Sequence, residues 1–244
     1  MKAIITAAGL GRRSGLNGIM RKELLNIYVS RDGTIQLRPI LDELIFRLMR
    51  MGIREVAVVL DPGDSISRDY VGRAYPDVKI FFQKERKGFG DAVAAARDFV
   101  RDEGFLLAAG DGLLMNIESY RNVLIQAEAR KRWTLFIMRV QDPRRYGVAV
   151  VKRGEVESVV EKPDTPRSNF AMCALYYLPP RIFNFITYKD GNAELTDAID
   201  SCIRSGIKFR AIKVPKKSWI SVGLADDYIR ILGITYKYAA SSMR

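Results

Sequence analysis

A short apolar run near the start of the chain ends in Ala7-Ala8-Gly9-Leu10-Gly11-Arg12-Arg13. Glycine lets main-chain N–H groups come close to a phosphate, and guanidinium groups add charge-assisted, bidentate contacts. Arg21 and Lys22 bring two further cations to the same stretch. The chemistry these residues suit is the holding of an anion, a phosphate chain above all. Two common nucleotide fingerprints are excluded. A dinucleotide-binding turn built on Gly9 and Gly11 needs glycine where the chain has Ser14, with Gly15 one place late. The acidic residue expected about 20 positions on is also missing from its setting, which holds Glu23-Leu24-Leu25-Asn26. A Walker A loop is excluded because no Gly-Lys-Ser/Thr follows. Taken alone, such a turn is also compatible with a purely structural role.

Composition narrows the chemistry further. The 244 residues contain no histidine, which removes Ser-His and Cys-His nucleophilic catalysis and His-ligated zinc. Carboxylates, Lys, Arg and main-chain amides remain. They suit reactions in which an already ionised phosphate attacks and charge has to be neutralised. The formal net charge of +12 fits anionic ligands, but also nucleic acid or a solvated basic surface. Nucleic acid is not an expected partner, since basic runs such as Arg130-Lys131-Arg132 stand without a recognised binding motif. Only Cys173 and Cys202 are present, so neither a disulfide framework nor a Cys-rich metal site is expected, in keeping with a cytoplasmic location. No run approaches the roughly 20 apolar residues of a membrane span, and no membrane partner is expected. The opening segment is too short and wrongly flanked for a secretory signal, and reads as a first strand.

The elements that must position these residues follow a βαβ rhythm. Strands are expected at Lys2–Thr6, Glu55–Leu60, Lys79–Gln83, Phe105–Ala109 and Thr134–Val140, with helices at Ile40–Met51, Ser65–Ala74, Phe89–Val100 and Ile117–Arg130. After Tyr146 the pattern turns β-rich: Gly147–Lys152 and Glu155–Glu161, joined by Arg153-Gly154, read as a hairpin. A strand at Met172–Leu178, a helix opened by Pro179-Pro180, a helix at Glu194–Ser205, a strand at Phe209–Val214 and a last helix from Ala225, frayed after Tyr238, complete the chain. The fold class expected is α/β, a Rossmann-like, mostly parallel sheet flanked by helices with a small antiparallel insertion. It forms one domain over 1–240, with the β-rich insertion at about 141–175.

Ala7-Ala8-Gly9-Leu10-Gly11-Arg12-Arg13, followed by Arg21-Lys22-Glu23-Leu24-Leu25, resembles the signature loop of the sugar-1-phosphate nucleotidyltransferases, the family of glucose-1-phosphate uridylyl- and thymidylyltransferases. The family pattern runs Gly-x-Gly-Thr-Arg, then Pro-Lys-x-Leu-Leu. The resemblance implies that Arg13 grips a triphosphate and Lys22 contacts phosphate at the reaction centre, with Ala8, Gly9, Gly11 and Arg12 around the nucleotide. Gln83 and Lys87-Gly88-Phe89-Gly90-Asp91-Ala92 are similar to the family's base-reading block, which implies base contacts from Gln83 and Gly88. An amide carries both a donor and an acceptor, as a uracil or thymine edge requires. The same stretch also reads as a strand end and a helix N-cap. Ala109-Gly110-Asp111 resembles the family's metal carboxylate, which implies Mg²⁺ at Asp111, an ion that keeps to one or two carboxylates plus substrate phosphates. A helix-capping aspartate is the alternative there.

Later blocks recur in the family's order: Arg145-Tyr146-Gly147-Val148, Val160-Glu161-Lys162-Pro163, Leu175-Tyr176 and Glu194-Leu195-Thr196-Asp197. By resemblance, Tyr146, Gly147, Glu161 and Tyr176 line a sugar site and Lys162 holds the sugar phosphate. By themselves Glu-Lys-Pro suits a surface turn, and Glu194 to Asp197 the opening of a helix. The chain departs from the family at Arg12 for threonine, Arg21 for proline, Ala174 for glycine, and Ser221, within Trp219-Ile220-Ser221-Val222-Gly223, for a second metal aspartate. Asp226 and Asp227 are expected to open the last helix rather than replace it. The implied activity is transfer of a nucleotidyl group from a pyrimidine nucleoside triphosphate to a sugar 1-phosphate. The alternative is a weakened or regulatory relative that binds without turnover. Homo-oligomerisation stays open.

Overall fold

A computed structural model describes residues 1–11, 15–16 and 20–243. Continuous apolar runs become the central strands. These are β1 (Lys2–Ala7), β4 (Val56–Leu60) and β6 (Phe105–Ala109), with the half-exposed β5 (Lys79–Phe82) at the sheet edge. Within them alternate residues face opposite layers. Ala3, Ile5, Val58 and Leu106 pack into one apolar cluster with Leu41, Leu44, Ile45 and Leu48 of α1 (Ile40–Arg50). Ile4, Val59, Phe105 and Leu107 face the other, with Ala92 and Val93 of α3 (Phe89–Ala94) and Ile199 of α6 (Leu195–Arg204). Helices on both faces explain why these strands carry no polar alternation.

The nine-stranded sheet has the order β5-β4-β1-β6-β11-β8-β12-β10-β9, with β8 at Thr134–Arg139, β9 at Gly147–Lys152, β10 at Glu155–Glu161, β11 at Phe170–Leu178 and β12 at Arg210–Lys213. β5, β4, β1 and β6 run parallel. β11 then runs antiparallel to both β6 and β8. The β9–β10 hairpin turns at Arg153 (φ 51°) and Gly154 (φ 83°), the left-handed pair that a two-residue hairpin favours. This hairpin is the continuation of the main sheet, and β9 also pairs with β11, which folds the far end of the sheet back on itself. The chain proceeds from β1 outward through β4 to β5 and then returns to β6 on the opposite side of β1. The β1/β6 boundary is therefore a topological switch point, where open α/β sheets place ligands beyond the strands' carboxyl ends.

Several boundaries differ from the sequence expectation. The Phe89–Val100 helix breaks into α3 and α4 (Arg97–Val100), and the segment opened by Pro179-Pro180 is a 3₁₀ helix, Pro180–Phe185. The Ile117–Arg130 helix starts as a 3₁₀ turn, Ile117–Tyr120, before α5 (Arg121–Ala129). The last helix, α7, holds from Ala225 to Ser241 rather than fraying at Tyr238. An unexpected hairpin joins β2 (Asn26–Arg31) to β3 (Thr34–Pro39), and a small ribbon pairs β7 (Gly112–Leu114) with β13 (Trp219–Ser221). No helix among the described residues is long and apolar enough to cross a membrane.

Candidate active site

The glycine turn leaves β1 and Asp111 leaves β6, and these two strands are hydrogen-bonded neighbours in parallel register, Thr6 beside Ala109. The Gly110 N–H donates to the Thr6 carbonyl at 2.8 Å. A side chain at Gly110 would meet that carbonyl oxygen at 3.1 Å and Glu23 Cγ at 3.2 Å, so the close approach of the two strand ends depends on glycine. Gly9, Gly11, Gln83, Gly88 and Asp111 line one crevice of about 480 Å³. Tyr146, Gly147, Glu161, Lys162 and Tyr176 line a second of about 310 Å³. Lys22, Phe89, Ala109 and Asp111 border both, so the two are halves of one cleft. Arg12 and Arg13 lie outside the described residues.

Arg21, the residue in place of the family's proline, ties the turn down. Its guanidinium donates to the Gly9 carbonyl at 3.3 Å and pairs with Asp61 at 3.4 Å and Asp64 at 3.2 Å, both beyond β4. Asp61 also takes Arg86 at 2.5 Å, and Asp64 caps α2 (Ser65–Ala74) by accepting from the Ser67 N–H. Buried charges of both signs are thus matched, the condition under which burial is tolerable.

Beyond Arg21, Lys22 meets the Asp111 carboxylate in an ion pair. Glu23, next in the chain, lies near the glycine turn and is 2% exposed, with Oε2 lacking a hydrogen-bond partner among the described residues. Burial pushes its carboxyl up to about 8, against the pull of Lys22. Near neutrality Glu23 is therefore largely uncharged, and Asp111 is the carboxylate that pairs with Lys22 at the junction of the halves. Ser221 stands across the β7–β13 ribbon from Gly112 and lines the second half of the cleft together with Asp111. Asp227 is committed elsewhere, accepting from the N–H groups of Gly223 at 3.1 Å and Leu224 at 2.8 Å as the cap of α7. Among the described residues no cluster of three or more Asp, Glu, Cys or His could hold a metal unaided. One carboxylate beside space for substrate phosphates is nevertheless a donor set that Mg²⁺ accepts.

At the far end of the first half, Gln83 is anchored by its N–H to the Leu60 carbonyl at 2.9 Å. Its side-chain NH₂ donates to the Gly88 carbonyl at 3.0 Å and to Asp91 Oδ2 at 2.8 Å. Both amide hydrogens are thereby used inside the protein. The sequence expectation that Gln83 offers a donor as well as an acceptor is corrected: only its carbonyl oxygen remains for a ligand. The glycines beside it answer to a second contact. Ala193 donates its N–H to the Lys87 carbonyl at 2.7 Å and receives the Gly90 N–H at 2.8 Å. A Cβ at Gly88 would meet the Ala193 oxygen at 2.5 Å, and Gly88 has φ of 95°.

In the second half Glu161 closes β10 opposite Gly147 of β9. Thr196, in the first turn of α6, donates to Glu161 Oε2 at 2.7 Å, and Lys162 pairs with Oε1. Lys162 has φ of 40° and its N–H donates to the Tyr146 carbonyl at 3.0 Å. A Cβ at Gly147 would lie 3.1 Å from Glu161 Oε2, so glycine keeps that carboxylate accessible. Tyr176 is 4% exposed; burial first, and then Glu161, push its phenol far above the ordinary range, so it stays protonated. Ala174 has φ of 37° in a bulge of β11 and also faces this half. That left-handed value explains why glycine suits the position. Sequence reasoning missed Glu23, Arg86, Asp91, Tyr188 and Thr196 as site residues. Of these, Glu23, Asp91 and Thr196 fell inside blocks already singled out, whereas nothing local marks Arg86 or Tyr188.

A family profile described as nucleotidyl transferase matches residues 2–236. The chain is 31% identical over 238 residues to the UTP–glucose-1-phosphate uridylyltransferase AglF of Haloferax volcanii, covering 93% of each. It is 28% identical over 207 residues to a glucose-1-phosphate thymidylyltransferase of Xanthomonas campestris, covering 80% of this chain and 67% of that protein. In fold it matches a UDP-glucose pyrophosphorylase of Acinetobacter baumanii, with a TM-score of 0.77 at 18% identity over 100% of this chain and 99% of the other. A UDP-glucose pyrophosphorylase complexed with UDP-glucose gives 0.78 at 21% identity, covering 97% and 98%. The profile, the relatives and the shared cleft agree: the chain belongs to the nucleotidyl transferase family, among the sugar-1-phosphate nucleotidyltransferases.

Proposed function

We propose that this nucleotidyltransferase moves a nucleotidyl group from a pyrimidine nucleoside triphosphate to a sugar 1-phosphate, giving a nucleoside diphosphate sugar and pyrophosphate. The observation that carries the reading is the continuity of the cleft. A glycine turn and Gln83 line one half, the Glu161–Lys162 corner lines the other, and the Lys22–Asp111 pair stands between them.

In this reading a sugar-phosphate oxygen attacks the α-phosphorus in line, a new P–O bond forms, and the bond to the β-phosphate breaks with pyrophosphate leaving. The nucleophile is already ionised, so no general base is required, in accord with a chain that has no histidine. Lys162 positions the attacking phosphate, and Glu161, oriented by Thr196, accepts from sugar hydroxyls. Lys22 exchanges its bond to Asp111 for the nucleotide phosphates. Arg12 and Arg13 complete the triphosphate grip. Asp111 is the residue that would hold Mg²⁺, which when bound supplies neutralisation of phosphate charge. The β-rich stretch at about 141–175 is the sugar-binding part of one domain, and unpaired, buried Cys173 and Cys202 suit a cytoplasmic enzyme.

Released pyrophosphate, measured for each nucleoside triphosphate against several sugar 1-phosphates with Mg²⁺, tests the proposal; a pyrimidine triphosphate paired with one sugar phosphate is expected to dominate. Ser221 favours one competing reading, a regulatory relative that binds without turnover. Nucleotide binding with no pyrophosphate from any pair would decide for it.

A further inference from the structure

Asp91 and Tyr188 have no part in the reading above, yet Asp91 holds the Gln83 amide and Tyr188 holds Asp91. Asp91 sits in the first turn of α3, and one of its oxygens accepts from the Gln83 amide while the other accepts from the Tyr188 hydroxyl. Each oxygen of the carboxylate thus serves as an acceptor, one to Gln83 and one to Tyr188. The hydrogen bond to Asp91, with a smaller contribution from burial, lifts the Tyr188 phenol to about 12, so it remains the donor. The second neighbour of the Gln83 NH₂, the Gly88 carbonyl, also only accepts. Turning the amide over would set its oxygen against two acceptors in a buried place, since Gln83 is 5% exposed. The NH₂ therefore faces inward, and the carbonyl oxygen, which receives no donor among the described residues, is left to the cleft that Gln83 lines.

We propose that Asp91, held by Tyr188, is a positioning residue that fixes the nucleobase specificity of the cleft. It restricts Gln83 to accepting, and so admits a base whose ring nitrogen carries hydrogen, as in uracil and thymine. Cytosine, whose N3 is a bare acceptor, is opposed. This rests on the reading that Gln83 faces the base. The main-chain N–H of Gly88, which meets no acceptor among the described residues, supplies the complementary donor to a base carbonyl. Discrimination arises chiefly from the repulsive pairing in the wrong complex.

Asparagine at position 91 removes the restriction, because its own amide can donate to Gln83 and let that side chain turn. Dissociation constants of UTP, dTTP and CTP for the full chain, wild type and Asp91→Asn, test the proposal by calorimetry without relying on turnover. Wild type is expected to prefer UTP and dTTP over CTP by roughly 10–100-fold, the range expected of one buried unsatisfied group. In Asp91→Asn the preference is expected to shrink by about tenfold, largely through gained CTP affinity. A purely structural Asp91 would weaken all three nucleotides alike, and an unchanged ratio overturns the proposal while leaving the transferase reading intact. Equal binding of UTP and CTP by wild type also overturns it. Absence of binding by any of the three overturns both. Should Asp91→Asn fail to fold, Tyr188→Phe replaces it. Tyr188 is 53% exposed, and its loss is expected to move the ratio the same way by about threefold, as for one hydrogen bond of modest net strength.

Discussion

Lys22 and Asp111 meet in an ion pair at the seam where the two halves of the cleft join. Each is partly open to the cleft, with side-chain exposures of 19% and 18%, and neither is needed to fill the core. Lys22→Ala and Asp111→Asn are each expected to lower kcat by about 10²–10³-fold, as for loss of one preorganised charge contact. Circular dichroism and melting temperature should stay close to wild type. Turnover within a few-fold of wild type in either variant would remove these residues from the reaction.

Ser221 lines the second half of the cleft, which Asp111 also borders, without bringing charge. Ser221→Asp is expected to lower the Mg²⁺ concentration giving half-maximal rate by about tenfold, since each added carboxylate strengthens a hard-cation site. Titration of activity against Mg²⁺ checks this. An unchanged midpoint would show that position 221 does not face the ion.

Arg21 neutralises Asp61 and Asp64 while holding the Gly9 carbonyl. Arg21→Ala strands buried carboxylates and is expected to cost about 3 kcal/mol in urea unfolding, the order found when one partner of a buried pair is removed. Arg21→Lys is expected to recover only part of it, because one ammonium cannot replace a fork that reaches three acceptors.

Glu23 makes stability depend on pH. Its carboxyl titrates near 8 in the folded chain against an ordinary value of 4.5, so between these values the folded state holds the extra proton. Stability is then greatest below about pH 4.5 as far as this group is concerned, falls as pH rises, and levels off above about pH 8. Glu23→Gln, which mimics the neutral form, is expected to flatten that decline. The difference between the two proteins in urea unfolding at pH 6 and pH 9 gives the measurement. Parallel curves would mean that Glu23 is not the group responsible.

Ala174 occupies a left-handed backbone position, φ 37°, where a methyl group is unfavourable. Ala174→Gly is expected to stabilise the fold by about 0.5–1 kcal/mol, the strain relieved exceeding the added freedom of the unfolded chain. Its melting temperature should rise by a few degrees. A fall would show that the methyl group's packing outweighs the strain.

Much of this architecture was legible because buried parallel strands are written as unbroken apolar runs, Val56–Leu60 and Phe105–Ala109 being the clearest. The glycine turn, Asp111 and the Glu161–Lys162 corner could be located because each lies at the end of such a strand. The β2–β3 hairpin escaped notice although Asp32 and Gly33 both adopt the positive φ of a two-residue turn. Its strands are half exposed and mix polar with apolar residues, so the period is faint. Asp91 and Tyr188 are separated by 97 positions, and their joint action on Gln83 exists only after folding. The state of Glu23 was equally hidden, since it comes from how completely the neighbouring strands enclose it.

With the proposed base and sugar sites, the backbone strap between Ala193 and the turn at Lys87 to Gly90 would tie the two together. One side of that strap leads to Tyr188 and the base edge, the other to Thr196 and the sugar carboxylate. A substitution that moves this stretch to fit a new sugar would, on that reading, displace the fixture for the base as well.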